Sequence, residues 1–392
     1  MHTSCDWLII GGGIHGVHLA ARLVGEAGIP VQKIQIVDPR PTLMSRWREM
    51  TSTTGMTHLR SPSAHHLDPQ RSSLYQFGTG RGEQDVDNFA APCNRPLLGL
   101  FNQHCDHVVA QFGLREIHVQ DRALSCSLHC DGAKVQLAER GLVSAQNVIL
   151  AIGASEQPHW PGWAPKNHER VQHIFSLGES LRPQMRETVA VIGGGISAVQ
   201  LALRLMKEGN DVHLLARHAL RCHQFDSDLT LLRRRFKKDF QAQTSYKKRR
   251  EFINHARNQG SVPPETQNQL EQALESGLLQ FSQSEVESAR PNEEGIVLQL
   301  AQGKSLEVQR VILATGFCSK RPGGDLVQSL IDSAKLPCAS CGYPVVDSML
   351  RWHPRIRVAG PLAELELGPT ARNIVGARRA GDRLLFAGVA LS

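Results

Sequence analysis

Gly11, Gly13 and Gly16 stand in the spacing G-x-G-x-x-G, and Asp38 follows at the end of the next apolar run. These residue types in this order can hold a dinucleotide. The first glycine allows a tight turn, the second lets the backbone approach a pyrophosphate, and the third lets a helix pack on its strand. Backbone N–H groups of the first helical turn, here Ile14, His15 and Gly16, then face the phosphates. A carboxylate at Asp38 accepts hydrogen bonds from a ribose. The chain repeats the device. Gly193, Gly195 and Ala198 give G-x-G-x-x-A, with Ser197 in the first helical turn. Arg217 stands where the acidic residue stood in the first copy, and Arg221 lies one helical turn on. A cation there suits a 2′-phosphate, and a carboxylate repels one. The first cradle therefore points to FAD and the second to NADPH over NADH.

The elements that position these residues are short apolar strands and amphipathic helices. Trp7 to Ile10 and Thr188 to Ile192 read as strands buried on both faces, each running into a glycine turn and a helix of 3.6-residue period. Gln146 to Ile152 ends in Gly153-Ala154, and Leu306 to Leu313 ends in Ala314-Thr315-Gly316; small residues at a strand end let a cofactor approach. Arg355 to Gly360 reads as a further strand. After it come Gly368-Pro369-Thr370 and a helix expected from Ala371. The fold class is α/β, with two Rossmann-like dinucleotide-binding domains, the second inserted in the first. The expected FAD domain comprises residues 1–183 and 312–392. The NADPH domain comprises 184–311 and carries a helical insertion at 225–277.

Three stretches need weighing. Residues 39–95 are rich in Pro, Gly, Ser and Asp and predict little regular structure, yet Trp47, Met50, Met56 and Leu59 suggest an ordered loop over a ligand. His65 and His66 within it read as loop hydrogen-bonders, and no metal site is predicted. The insertion carries Arg233-Arg234-Arg235, Lys237-Lys238 and Lys247-Lys248-Arg249-Arg250. A solvated charged face is favoured there over an anionic partner, because Glu251, Glu265, Glu271 and Glu275 partly balance it and no aromatic ladder accompanies it. Nucleic acid is not indicated. Cys338 and Cys341 form a C-x-x-C between Pro337 and Gly342-Tyr343-Pro344, which favours a plain loop over a redox dithiol.

At 392 residues, 41% hydrophobic and 21% charged, the chain has the composition of a globular protein with room for two or three cores. Nine cysteines are too dilute for a disulfide scaffold and point to a reducing cytoplasm. No apolar run reaches the roughly 18 residues of a membrane span, and the N-terminus lacks the pattern of a signal peptide. A homo-oligomer is left open.

Two dinucleotide folds in series, the first resumed after an Ala-Thr-Gly strand, resemble the two-dinucleotide-binding-domain flavoproteins. Within that group the chain is most similar to the flavin-dependent N-hydroxylating monooxygenases of the ornithine and lysine type. Trp47, Met56 and Thr57 ahead of Pro62, the helical insertion, the Gly360 strand and the Leu367-Gly368-Pro369-Thr370 turn carry the resemblance. It implies FAD in the first domain and NADPH in the second. Hydride would pass to the flavin, oxygen would add at the ring, and one oxygen atom would go from the flavin hydroperoxide to a small amine or other nucleophile. Trp47, Met56, Thr57 and Thr370 would then approach the ring, and no acid–base residue is named. A disulfide or quinone reductase on the same scaffold is the second reading. A non-catalytic flavoprotein presenting its basic insertion to a partner is the third.

Overall fold

The computed structural model describes residues 4–80, 88–176, 186–227 and 234–386. The strand Ser4–Ile10 lies inside the first sheet and pairs in parallel with Ile34–Asp38 on one side and Gly141–Leu150 on the other. Ile10 thus sits opposite both Val37 and Leu150. His118–Gln120 extends one edge, and Ile356–Val358 followed by Arg351–His353 extends the other. Leu8, Ile9, Ile36, Ile149 and Ile356 are fully buried. Leu8, Ile9 and Ile149 come from unbroken apolar runs, as parallel strands covered on both faces require. The helices Ile14–Gly25 and Ile374–Phe386 pack on one another, which ties the two ends of the chain together.

The second sheet is parallel throughout, in the order Leu279–Gln283, Asp211–Ala216, Thr188–Ile192, Arg310–Leu313, Val171–His173. One face packs Val189, Val191 and Leu214 against Val199 and Leu203 of the helix Ile196–Lys207. The other face packs Ala190, Ile192 and Leu215 against Ile296 and Leu298 of a small antiparallel sheet. The α/β class with two Rossmann-type units is as the sequence indicates.

Several expectations are corrected. Val171–His173 and Arg310–Leu313 both belong to the second sheet, so that unit reaches beyond residues 184–311 on both sides. A buried apolar run fits any parallel sheet, and its pairing partner is not written in its own residues. The drawn boundary at 183 lies outside the described residues. Within 225–277, the helix Pro264–Glu275 packs on Ile196–Lys207 and precedes the edge strand Leu279–Gln283, so it is part of the second unit's own fold. Among the described residues, Arg234–Gln241 and Tyr246–His255 form the helical excursion. Among the described residues of 39–95 are the helices Ser45–Thr54 and Ser73–Thr79. In the first, threonine hydroxyls bond back to carbonyls one turn earlier, Thr51 to Trp47 at 2.9 Å and Thr53 to Glu49 at 2.7 Å. Arg204 of the second unit donates to the Ser52 and Thr53 carbonyls at its C-terminus. The last helix starts at Ile374, not Ala371, because Gly368 to Asn373 form hydrogen-bonded turns.

Candidate functional site

Each sheet ends in a glycine turn at its C-terminal edge, and the two turns differ. In the first, Gly11 has φ +113°, and a Cβ there would lie 2.6 Å from the Ala151 carbonyl oxygen. A Cβ at Gly16 would lie 1.8 Å from the Gly11 carbonyl oxygen, which is the close helix–strand approach the motif requires. A Cβ at Gly13 would meet nothing within 4 Å. The cradle is open where a pyrophosphate would lie. Asp38 is held at its mouth: one carboxylate oxygen accepts the Gly12 N–H at 2.7 Å and the other accepts the Arg40 N–H at 2.9 Å. Gly153 and Gly360 lie past the neighbouring strands Gly141–Leu150 and Ile356–Val358. Gly360 has φ +62°, and its Cα faces the His15 ring.

In the second turn Gly193 repeats the approach, a Cβ there lying 2.5 Å from the Ala314 carbonyl oxygen. The position over Gly195 is not open: a Cβ would lie 3.3 Å from the Gly260 Cα. Gly260 sits on a strap formed by the paired residues Arg221–Cys222 and Ser261–Val262. The strap is tied to the first unit. Arg60 donates to the His223 and Gln224 carbonyls and to Ser261 Oγ, at 2.7 to 3.2 Å. Asn373 donates to Asp226 Oδ1 at 3.2 Å. Arg217 and Arg221 are exposed and make no ion pair among the described residues. Ser197 lies in the first turn of its helix, and Thr315 and Gly316 end the adjoining strand, tied to His159 by the Thr315 hydroxyl and the Gly316 carbonyl.

The residues expected near a flavin ring are less uniform. Trp47 is half-buried, its Nε1–H donates to Asn102 Oδ1 at 3.1 Å, and its ring lies 5.4 Å from Phe101. Met56 packs on the first core and Thr57 is exposed. Thr370 is buried and accepts from Arg379 at 2.6 Å. Beside it, Glu364 is buried between Arg250 and Arg372. Burial pushes its pKa up, but the hydrogen bonds and charges of the two arginines outweigh this and hold it below the usual range. Arg249 pairs with Glu366. Two arginines of the basic insertion are thus used inside the molecule, whereas Lys247 and Lys248 face solvent and Arg233 lies outside the described residues.

Sequence reasoning missed Arg60 and Gly260. The pair Gln259-Gly260 is a turn signal inside a polar stretch, and only the fold brings it over Gly195. A Ser73–His104–Asp68 cluster also emerges, and it is not a nucleophile triad. Ser73 gives its single proton to Asp68 at 2.6 Å, so His104 Nε2–H must donate to Ser73 Oγ at 2.8 Å. Among the described residues no His, Cys, Asp and Glu cluster could hold a metal, and no helix is long and apolar enough to cross a membrane.

Two glycine turns, one at the end of a mixed sheet beside a carboxylate and one at the end of a parallel sheet beside arginines, fit a flavin- and pyridine-nucleotide-dependent oxidoreductase. The chain belongs to the pyridine nucleotide-disulphide oxidoreductase family, whose model matches residues 117–381. An FAD-NAD(P)-binding family model matches residues 8–155. Its cofactors are FAD and NADPH. Among curated proteins none matches the sequence. Solved structures share the fold. Ornithine hydroxylase from Pseudomonas aeruginosa aligns with a TM-score of 0.77 at 17% identity over 98% of each chain. Bacillithiol disulfide reductase from Staphylococcus aureus aligns at 0.66 and 15% identity, over 100% of this chain and 99% of the other. Lysine monooxygenase from Nocardia farcinica aligns at 0.61 and 16% identity, over 97% and 99%.

Proposed function

We propose that the protein is an NADPH-dependent flavin monooxygenase that transfers one atom of dioxygen to a small amine or other nucleophile. In this reading Gly11, Gly13, Ile14, His15, Gly16 and Asp38 hold FAD, with Gly153, Gly360, Gly368 and Thr370 on the ring side. Trp47, Met56 and Thr57 stand nearby. Gly193, Gly195, Ser197, Arg217, Arg221, Thr315 and Gly316 hold NADPH. The bound flavin supplies the redox chemistry. The chain supplies orientation and a site closed to water. The observation that carries the reading is the extent of the likeness to the ornithine hydroxylase, 98% of both chains at a TM-score of 0.77. All nine cysteines are free, which supports a reducing cytoplasm. The test is to reduce the protein with NADPH, mix it with oxygen and follow the flavin spectrum while screening amines, sulfides and thiols for oxygenated product. A delayed return of oxidised flavin with product formation supports the reading. Immediate return with stoichiometric peroxide and no product removes it.

Arg217 and Arg221 give a second test. A charge-assisted hydrogen bond is worth ~1.5–3 kcal/mol, so replacing both with serine should weaken NADPH binding by roughly 10- to 100-fold and leave NADH almost unchanged. Isothermal titration with each nucleotide reads this directly.

The family match and the Cys338/Cys341 pair favour a disulfide reductase as the second reading. The thiols sit in a hairpin where the Ala339 N–H donates to the Tyr343 carbonyl at 2.9 Å. Cys341 is exposed beside Arg250, while burial pushes the Cys338 thiol up and disfavours its thiolate. Replacing both with serine is therefore expected to leave NADPH turnover within about twofold, because burial disfavours the Cys338 thiolate on which exchange within the pair depends. Abolished turnover would instead favour the reductase.

A further inference from the structure

The buried histidines divide sharply by whether the protein gives them a partner. His18 Nδ1 bonds to the Leu67 carbonyl, His66 Nε2 to the Arg71 carbonyl, His104 to Ser73, and His173 Nδ1 to the Phe175 N–H. His15 has neither nitrogen satisfied, although its side-chain nitrogens are shielded and the residue is 9% exposed. Burial lowers its pKa to about 4, with the neighbouring Arg372 backbone pulling the other way outside hydrogen-bonding geometry. The ring is therefore neutral at pH 7, with one N–H donor and one bare acceptor. Two such atoms left dry and unpartnered in the folded protein call for a ligand.

Position and chemistry narrow the ligand. His15 is the second residue of the helix that leaves the open Gly13 turn. Its ring atoms lie 3.6 Å from where a Cβ on Gly360 would stand. Gly360 follows Ile356–Val358, on the opposite side of Ser4–Ile10 from Asp38. If Asp38 takes the adenosine ribose, His15 lies across the pyrophosphate cradle, towards the flavin half. A phosphate oxygen at neutral pH only accepts, and would satisfy one ring nitrogen. A run of hydroxyls both donates and accepts, and would satisfy both. We propose that the His15 imidazole binds the ribityl hydroxyls of FAD, one nitrogen donating and the other accepting. The inference rests on the assignment of FAD to the first cradle.

The test compares His15→Met with His15→Gln, two side chains of similar size of which only glutamine keeps a donor and an acceptor. Affinity of the FAD-depleted full chain is measured for FAD, by flavin fluorescence, and for ADP, which lacks the ribityl chain. His15→Met should lose about tenfold for FAD and nothing for ADP, and His15→Gln should stay within about threefold for both. Undiminished FAD affinity in His15→Met overturns the proposal. Equal losses for FAD and ADP overturn the ribityl assignment in favour of a phosphate contact. In wild-type protein carrying 15N-histidine, FAD should shift both His15 ring nitrogens and ADP should not. If FAD leaves them unmoved the proposal fails even should the variants not fold. Wild-type protein that binds neither FAD nor ADP would refute the cradle assignment itself, a separate outcome.

Discussion

Acidification from pH 7 to about pH 5 is expected to destabilise the protein by ~8 kcal/mol, well above the range in which its carboxylates titrate. Burial holds His15, His66 and His173 near a pKa of about 4 and His104 near about 3, against 6.5 for a free histidine. The Arg378 charge also lowers His66, and the Asp68 carboxylate only partly opposes burial at His66 and His104. The sign follows from the direction of these shifts. Folding favours the neutral ring, so the contribution is complete above 6.5 and is lost as pH falls towards the folded-state values. Each ring costs ~1.4 kcal/mol per pH unit in that window, and the four together ~5 kcal/mol per unit. Between pH 6.5 and 5 this comes to ~8 kcal/mol, a large part of the 5–15 kcal/mol or so that holds a domain folded. Urea unfolding at half-unit pH steps from 8 to 5 should show stability flat above 7 and then falling steeply. Stability unchanged down to pH 5 would mean that these rings are solvated or paired in solution.

The same histidines show where sequence reading stops. Gly11, Gly13, Gly16 and Asp38 were legible because a phosphate cradle requires fixed residue types at fixed spacing within one strand–turn–helix. The second copy was legible for the same reason. Which strands share a sheet was not, since the apolar run of Arg310–Leu313 fits either sheet and Val171–His173, Val-Gln-His, is too short and polar to announce a strand. The helices in 39–95 were hidden by serines and threonines, whose back-bonding to carbonyls the helical propensity scale does not reward. The strap over Gly195 was hidden for another reason. Arg60 and Ser261 lie far apart in sequence and meet only because the two units face one another. No local pattern can announce a contact of that kind.

The strap also sets the two cradles apart physically. The first is bounded by its own sheet and is open. The second is covered by residues latched to the first unit through Arg60. If NADPH lies over Gly195 as proposed, Gly260, 3.3 Å from where a Cβ there would stand, must give way against the Arg60 hydrogen bonds. FAD binding in the first cradle meets no such obstacle.

Gly13→Val is therefore expected to abolish FAD binding while sparing the fold, with affinity down on the order of 10³-fold, equivalent to ~4 kcal/mol. The backbone at Gly13 has φ −86° and ψ −163°, a conformation open to any residue. A side chain there meets no protein atom within 4 Å, so it costs the apoprotein little. The space it fills is the space a pyrophosphate needs, and the phosphates would be pushed from the N–H groups of the following helical turn. Gly16→Ala provides the contrast. Its Cβ would lie 1.8 Å from the Gly11 carbonyl oxygen, so the helix must leave the strand, and the fold itself should fail. Measuring both variants by circular dichroism and flavin retention separates the two roles of glycine in one motif. A folded Gly13→Val protein that still retains its flavin would show that the cofactor's phosphates lie elsewhere.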